Sequence, residues 1–274
     1  MKTKLAFLFF IAIAIECFPQ KLEQAWETKQ SFQVPESVIY DEANDIIYVA
    51  NINGDASEKD GNGFISRLSV SGKIKNLKWI DGLDAPKGMG IFGNKLYVAD
   101  IDKLVEIDIK EGKILRKYEA EGAVFLNDVA VRINGDVFLS DTRTGNIYLL
   151  ANGNLSVWLE DSRISTPNGL MAEQGKLFVG ENSVYEVDIE TKHIQVAVEE
   201  GGGIDGLERD HKGRIVFSHW AGRIFIVTDG TPAKLLDTSN KGINSADIDF
   251  AFKPGLLLVP TFSDNRIIAY KIVD

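Results

Sequence analysis

Four oxygen-bearing side chains stand at one repeated point of the sequence: Glu36, Asn127, Asn168 and Asp205. Two carboxylates and two amide oxygens, completed by water, suit a hard divalent cation such as calcium far better than zinc or copper. The alternative is that each residue serves an ordinary turn, because Asn-Gly and Asp-Gly are common turn dipeptides. Their shared phase favours a metal site, since four oxygen ligands that face one axis repel one another without a cation.

The unit that carries these residues recurs six times. Its period is about forty residues, which is typical of propeller blades rather than of helical repeats. The copies begin at Pro35, Pro86, Leu126, Pro167, Ile204 and Ser245. Each contains strand-length apolar runs separated by Gly, Asn or Asp turns, without helical period. We therefore predict an all-β fold, a six-bladed β-propeller with four antiparallel strands per blade and the metal at the top of its central channel.

The two ends of the chain are predicted to complete one blade together. The last unit ends at Asp274 without an outer strand, whereas residues 21–32 precede the first complete unit. Because a closed ring leaves no exposed sheet edge, we expect part of residues 24–32 to supply the missing strand. The predicted propeller domain thus covers residues 21–274.

A second group of side chains is expected around the same channel mouth, because the second strand of each blade returns to the face where the first strand begins. The expected substrate-contacting residues are Phe125, Asp141, Glu181, His219, Trp220 and Phe262. His219 is also a candidate catalytic proton shuttle, since imidazole titrates near neutral pH, although a solvated turn histidine is the alternative. Trp220 and Phe262 are expected to form apolar walls, unless they serve packing alone.

One segment, residues 51–63, is longer than the repeat requires. Asn51, Asn53 and Asp55 imitate the start of an EF-hand calcium loop, but Ala56 occupies the glycine position of that loop and Asn62 the position of its bidentate glutamate. We therefore predict a flexible lid over the channel mouth, with calcium binding in the loop as the weaker alternative.

The first twenty residues are predicted to be a secretory signal peptide. Lys2 and Lys4 precede an apolar run that ends at Ile15 and is too short to span a bilayer comfortably. Cleavage is expected either after the small residues at 12–14 or near residue 20. Cys17 invites a lipid anchor, but Glu16 stands where a small residue would be expected. We predict an exported protein, periplasmic or secreted, without a transmembrane segment in the mature chain.

Composition and charge limit the classes of partner that the protein can bind. The chain has 274 residues, 45% of them hydrophobic, which suffices for one well-buried domain. A formal net charge of −10 makes nucleic acid a poor partner. Its single cysteine excludes an internal disulfide, so stability must come from burial, sheet closure or a bound ion. We expect a monomer that binds a small molecule.

The ordered motifs resemble the SMP-30/gluconolactonase family from about Phe32 to Asp274. They are Pro35-Glu36, Leu126-Asn127-Asp128, Pro167-Asn168-Gly169-Leu170 and Ile204-Asp205-Gly206-Leu207, followed by Asp210 and the run from Gly213 to Arg223. The resemblance implies a six-bladed propeller whose divalent ion, usually calcium, is held by Glu36, Asn127, Asn168 and Asp205. It also implies opening of lactones or related esters, with the ion on the carbonyl oxygen and Asp205 as base or nucleophile.

Two departures from this family bear on the substrate. Sugar-lactone hydrolases of the family commonly carry an arginine two residues before the metal asparagine, where this chain has Phe125, which cannot hydrogen-bond sugar hydroxyls. The histidine pair of paraoxonases has no counterpart, because the histidines are His193, His211 and His219. Two other functions therefore stay open: an exported propeller that binds a ligand or protein around a structural metal, and a scaffold related to NHL repeats.

Overall fold

The computed structural model describes residues 20–199 and 201–274, which form six four-stranded antiparallel sheets arranged in a ring. Blades 1 to 3 contain β2–β5 (Pro35–Asp41, Ile46–Asn51, Gly63–Ser69, Ile74–Leu83), β6–β9 (Pro86–Phe92, Lys95–Asp100, Lys103–Asp108, Lys113–Glu119) and β10–β13 (Leu126–Val131, Val137–Asp141, Asn146–Ala151, Asn154–Glu160). The first strand of each blade lies innermost, so the predicted architecture is confirmed for this half.

The remaining blades follow the same plan. Blades 4 and 5 contain β14–β17 (Leu170–Glu173, Lys176–Gly180, Val184–Asp188, Ile194–Val198) and β18–β21 (Ile204–Arg209, Ile215–His219, Arg223–Thr228, Thr231–Asp237). Blade 6 contains β22–β24 (Asp249–Ala251, Leu256–Pro260, Ile267–Val273) and, as its outer strand, β1 (Lys21–Glu27). Two short 3-10 turns, Ser239–Lys241 and Phe262–Asp264, lie between strands.

Hydrophobic pattern decides the position of each strand within a blade. The second strands are apolar on both faces because neighbouring blades cover them, and β3 (IIYVAN) is buried along its whole length. Outer strands alternate, as in β9 (KILRKYE), and expose their charged side chains. The core consequently lies between blades: Tyr48 of blade 1, for example, belongs to the same buried cluster as Val98 of blade 2.

The chain termini meet in blade 6. Antiparallel pairing joins β1 to β24, from Lys21 opposite Val273 to Glu27 opposite Ile268. This confirms closure by the N-terminal segment, although the strand begins before residue 24 and ends at Glu27. Phe32 lies beyond the strand and is fully buried against blades 1 and 6.

The predicted signal peptide and Cys17 lie outside the described residues, apart from residue 20. Within 20–199 and 201–274, no helix has the length and apolar character needed to cross a membrane.

Candidate metal centre and channel mouth

Backbone irregularities at the starts of the inner strands position the predicted ligands. The register of the first strand pair shifts between Pro35 and Ser37 in blade 1, and corresponding shifts enclose Lys87, Asn127 and Asp205. A bulge releases a residue from the ladder and re-aims its side chain. The repeated phase seen in the sequence is therefore a repeated local geometry at the channel.

Glu36 and Asp205 supply the two carboxylates of this centre, and both side chains are buried. Burial, followed by the charge of Asp205, raises the pKa of Glu36 well above its usual value, and Lys87 only partly opposes that shift. Glu36 Oε2 is buried without a hydrogen-bond partner. An unsatisfied buried carboxylate oxygen beside a second carboxylate is costly unless a cation is present.

Hydrogen bonds link the side-chain amides of Asn127 and Asn168 to neighbouring blades at the start of the inner strands. Asn168 donates from Nδ2 to Oδ1 of Asp205 at 2.8 Å. Asn127 donates from Nδ2 to Thr142 Oγ1 at 2.9 Å, and that hydroxyl donates to the carbonyl of Pro167, next to Asn168. Both bonds use the amide nitrogen, so the carbonyl oxygens of Asn127 and Asn168 are the atoms suited to a cation.

Close backbone approach makes this arrangement possible. A Cβ atom on Gly169 would lie 2.2 Å from the carbonyl oxygen of Asp205, closer than atoms can pack. Gly169 follows Asn168 directly, so the absence of its side chain lets blades 4 and 5 bring Asn168 and Asp205 together.

These donors fit a hard divalent cation through their chemistry. Among residues 20–199 and 201–274, no three His, Cys, Asp or Glu side chains group closely enough to hold an ion by themselves. A site built from the four predicted residues would therefore need the amide oxygens of Asn127 and Asn168, and all of its protein donors would be oxygen atoms.

Lys87 occupies the equivalent blade-start position in blade 2, and the sequence prediction gave it no role. It is fully buried, and its Nζ donates to the carbonyl oxygens of Ala56 and Ala85, both at 3.0 Å. Burial lowers the pKa of Lys87 to about 8, against the opposing charge of Glu36. Its position in the repeat, one blade from Glu36, is the sequence signal that could have found it.

Phe125 lies half-buried beside Lys87, at the position where the family commonly has arginine. The Lys87 ammonium lies 4.3 Å from its ring centroid, and the Arg143 guanidinium carbon lies 4.7 Å from it. Arg143 comes from the turn after β11 and also donates to Ser57 Oγ at 2.9 Å. The turn after β11 thus brings an arginine to the ring of Phe125.

The carboxylates of Asp141 and Glu181 accept hydrogen bonds from the chain segments that lead into their blades. The carboxylate of Asp141, which is fully buried, accepts from the N–H groups of Val124, Phe125, Arg143 and Thr144. Oε1 of Glu181 accepts from the N–H and hydroxyl groups of Ser165 and Thr166. Burial favours protonation of Glu181, but these hydrogen bonds prevail and lower its pKa. Substrate contact by either residue stays a prediction.

His219 ends β19 and is almost fully buried within blade 5. Its ring packs against Phe217 and Phe225, with centroids 5.6 and 4.8 Å away. Gly202 lies so close that a Cβ atom there would be 2.5 Å from His219 Cε1. The structure therefore places His219 beneath the segment that leads into β18, and its catalytic and substrate-binding roles stay predictions.

Trp220 and Phe262 form an aromatic pair at the mouth. Their rings meet edge to face with centroids 5.4 Å apart, and Trp220 is 48% exposed. Phe262 also packs on the buried cluster of Ile52, Ala85 and Ile101. The pair forms a partly exposed apolar surface, and its roles as a wall of the mouth and as a substrate contact stay predictions.

The long loop between β3 and β4 is tied down by several contacts. Besides Lys87 and Arg143, Asp102 pairs with Lys59 of the loop, and Gly61 N donates to Asp84 Oδ1 at 3.1 Å. Asp55 Oδ1 accepts from Ser57 N at 2.8 Å, which is a local turn bond. These contacts hold the loop against blades 2 and 3, and its role as a flexible lid over the mouth stays a prediction.

Further carboxylates line the channel below the candidate metal centre. Burial raises the pKa of Asp128 and of Asp249 to about 7. Asp128 accepts from Leu170 N at 2.6 Å, and Asp249 accepts from Tyr40 N at 2.8 Å. A cavity of about 320 Å³ opens at the other end of the channel, lined by inner-strand residues that include Glu208 and Asp249.

Solved structures with the same architecture were found by comparison. A gluconolactonase from Xanthomonas campestris superposes with a TM-score of 0.70 at 14% identity, covering 94% of this chain and 96% of that one. A structural-genomics protein described as a candidate gluconolactonase gives 0.71 at 18% identity, covering 93% of each chain. The chain has a gluconolactonase-like propeller fold.

The propeller is also similar to virginiamycin B lyase from Staphylococcus aureus. A catalytically inactive histidine-to-alanine variant of that lyase, solved with quinupristin, gives a TM-score of 0.65 at 14% identity, covering 93% of this chain and all of that one. No protein-family model and no curated protein matches the sequence. At these identities the similarity establishes the fold alone.

Proposed function

We propose that this propeller is a calcium-dependent hydrolase that opens a lactone or a related ester at the top of its channel. The observation that supports it most is the buried Glu36 Oε2, which has no hydrogen-bond partner and stands beside the second carboxylate, Asp205. Such a pair fits a cation-binding centre, because a divalent ion would satisfy the oxygen and relieve the repulsion.

Glu36, Asn127, Asn168 and Asp205 would hold the ion through their oxygen atoms. When bound, a divalent cation polarises a carbonyl and stabilises the negative charge that develops on its oxygen as water adds. The geometry that supports this role is the pair of bonds from Asn127 to Thr142 and from Asn168 to Asp205. These bonds hold the two amides by their nitrogen atoms.

Asp205 is the proposed general base or nucleophile. Burial raises its pKa to about 7, although the hydrogen bond from Asn168 opposes this shift. A bound cation would lower this pKa again, so that Asp205 would be ionised and able to accept a proton at neutral pH. Because Asn168 fixes Oδ1, the other oxygen, Oδ2, is the one proposed to receive a proton from the attacking water or to attack the carbonyl carbon directly.

His219 is proposed only as a secondary group that tunes substrate preference. Its buried position among Phe217 and Phe225 limits direct access from the mouth. Trp220, Phe262 and Phe125 are proposed to contact the apolar part of the substrate. Asp141 and Glu181 are proposed to act through the backbone segments that they hold.

A panel of lactones and aryl esters tests this function. The protein is treated with a chelator, dialysed, and assayed with and without added calcium, and the products are identified by mass spectrometry. Products that have gained one water, formed only with calcium, support the hydrolase. Products of unchanged mass with a new double bond would show a lyase, the activity of one structural neighbour. No turnover of any compound would favour the non-catalytic binding propeller.

Export is a separate part of the proposal. The secretory leader predicted for residues 1–20 would direct the propeller to the periplasm or the medium, where calcium is plentiful relative to the cytosol. Mass determination of the N-terminal peptide of the purified protein tests it, with cleavage near residue 14 or residue 20 expected. A size-exclusion measurement of the same sample tests the proposed monomer.

A further inference from the structure

Two cations at the channel mouth have no carboxylate partner. Within the described chain, neither Lys87 nor Arg143 lies within 4.0 Å of an Asp or Glu oxygen, whereas Lys59 and Arg266 on the same face are each paired. Lys87 is 1% exposed, so its ammonium has lost its water. The charges of Glu36 and Asp100 act on the Lys87 ammonium only from beyond 4.0 Å, and a buried charge without a directly paired counter-ion is costly.

The hydrogen bonds of these two residues leave donors available. The ammonium of Lys87 uses two N–H groups, for the carbonyl oxygens of Ala56 and Ala85. The guanidinium of Arg143 uses Nη2 for Ser57 Oγ. These acceptors are neutral, so they satisfy individual N–H donors without neutralising the positive charges. One N–H of Lys87 and most of those of Arg143 are left for a further partner.

The ring of Phe125 is a neighbour of both charges. Its ring lies between 4 and 5 Å from each of them, at distances of 4.3 Å for Lys87 and 4.7 Å for Arg143. Phe125 precedes Leu126 and Asn127 directly, so this aromatic platform adjoins the candidate metal centre. Attraction to the ring face holds a cation in position but neutralises little of its charge.

We propose that Lys87 and Arg143 form an anion subsite over Phe125, and that the preferred substrate is a lactone or ester carrying a carboxylate of its own. The planar fork of Arg143 matches a carboxylate, and Lys87 adds a point charge. The substrate class depends on the hydrolase function proposed above, whereas the anion subsite itself does not.

The carboxylate held by the proposed subsite is separate from the ester bond that is hydrolysed. Hydrolysis breaks the acyl C–O bond of the lactone, adds one water and yields a hydroxyl group and a new carboxylate. The substrate carboxylate takes no part in that step and would be held on Lys87 and Arg143 while the ring carbonyl faces the metal centre. Two positions then recognise the substrate: the cations Lys87 and Arg143 attract its carboxylate, and the metal centre receives its ring carbonyl. The acidic metal centre repels anions until it holds its ion.

A matched pair of ligands tests the subsite: γ-butyrolactone carboxylate and its methyl ester, which differ in charge but share the ring. In calcium-containing buffer, binding is measured by calorimetry and ring opening by mass spectrometry, which distinguishes the ring-opened product from cleavage of the methyl ester. We expect the carboxylate to bind, and to be hydrolysed, at least about tenfold better, a modest ratio for charge-assisted hydrogen bonds. Added salt should reduce the preference.

Arg143→Ala should remove most of this preference, because it weakens binding of the carboxylate far more than binding of the methyl ester, and Arg143→Lys should restore part of it. Arg163→Ala is the control, because Arg163 is exposed and already paired with Asp161. Lys87→Met should also remove the preference. The melting temperature of this variant shows whether loss of the hydrogen bond to Ala56 destabilises the protein.

The outcomes separate the two proposals. Equal binding of acid and ester by the intact protein, or a preference that survives Arg143→Ala, would show that Lys87 and Arg143 only fasten the loop. Calorimetric preference for the carboxylate without hydrolysis would retain the anion subsite and overturn the hydrolase. Hydrolysis of both ligands at equal rates would retain the hydrolase and overturn the subsite.

Discussion

Asn168 and Asp205 join blades 4 and 5 through a 2.8 Å hydrogen bond from the amide nitrogen to Oδ1 of the carboxylate. The bond crosses between two inner strands at the top of the channel, where Gly169 allows the close approach. Asn168 therefore has two tasks in the proposed centre: it orients Asp205 with its nitrogen and offers its oxygen to the ion.

Calcium is expected to raise the melting temperature of the chelated protein. An ion that binds only the folded state adds about 2.7 kcal/mol at one hundred times its dissociation constant. Glu36→Gln and Asn168→Ala should each diminish this increment, since each removes part of the donor set. Glu36→Gln should not lower the melting temperature of the metal-free protein, because it removes a buried, repelled carboxylate.

Asp55→Asn provides the control for that experiment. Asp55 belongs to the loop whose sequence imitates a calcium site, but its carboxylate serves the local turn at Ser57. The variant should keep the full calcium increment. If Asp55→Asn lost the increment and Glu36→Gln kept it, the ion would lie in the loop instead.

The sequence predicted more of the fold than of the site, for a physical reason. Strand order and blade number follow from local alternation of apolar residues and turns, and the phase of Glu36, Asn127, Asn168 and Asp205 follows from the repeat. The position of the Arg143 guanidinium over Phe125 depends on how the turn after β11 folds back. No periodicity encodes such a contact.

The residues at the ends of the second strands show the same limit. Their placement near the mouth was predictable from the sequence. How many of their carboxylate oxygen atoms are already used in backbone hydrogen bonds was not. Asp100 accepts from the N–H groups of Asp84 and Ala85, as Asp141 does from those of Val124 and Phe125. This capping depends on the path of the segment between blades, which sequence alone does not specify.

Stability of the metal-free protein should fall as pH rises. Burial raises the pKa values of Asp128, Asp205 and Asp249 to about 7, against an ordinary value of 3.8. Between about pH 4 and pH 7 the folded protein therefore binds more protons than the unfolded chain, and the free energy of unfolding decreases as they are released. Urea unfolding with a chelator, at several pH values across this range, measures the effect.

Asp249→Asn should flatten that dependence by at least about 1 kcal/mol across the range. Asn keeps an oxygen for the N–H of Tyr40 but cannot ionise. Calcium should stabilise the protein near neutral pH only by binding at the candidate metal centre, which does not include Asp249. Saturating calcium should therefore raise the free energy of unfolding of wild type and Asp249→Asn by the same amount. Stability that rises with pH in the chelated wild type would contradict the assigned shifts.

Closure of the ring should contribute strongly to stability. Deleting residues 21–32 removes β1 and exposes the edge of β24, and it also removes Phe32 from the core. The single change Phe32→Ala should itself cost about 3–5 kcal/mol, the usual range for a buried phenylalanine. Leu22→Ala, at a half-buried position in β1, should cost clearly less. Equal losses at both positions, measured by urea unfolding, would mean that Phe32 does not anchor the closure.

Asp205 is the residue at which catalysis and binding can be separated. Asp205→Asn keeps the shape of the side chain and one oxygen ligand but removes the charge that a base or nucleophile needs. On a verified substrate it should lower turnover by at least about 10², the lower range for general-base catalysis, while calcium still raises the melting temperature in part. His219→Gln should have a smaller effect, on substrate preference or the pH profile, because its ring packs inside blade 5. If Asp205→Asn retained full activity and His219→Gln abolished it, the roles would be reversed, and a histidine-assisted mechanism would replace the one proposed.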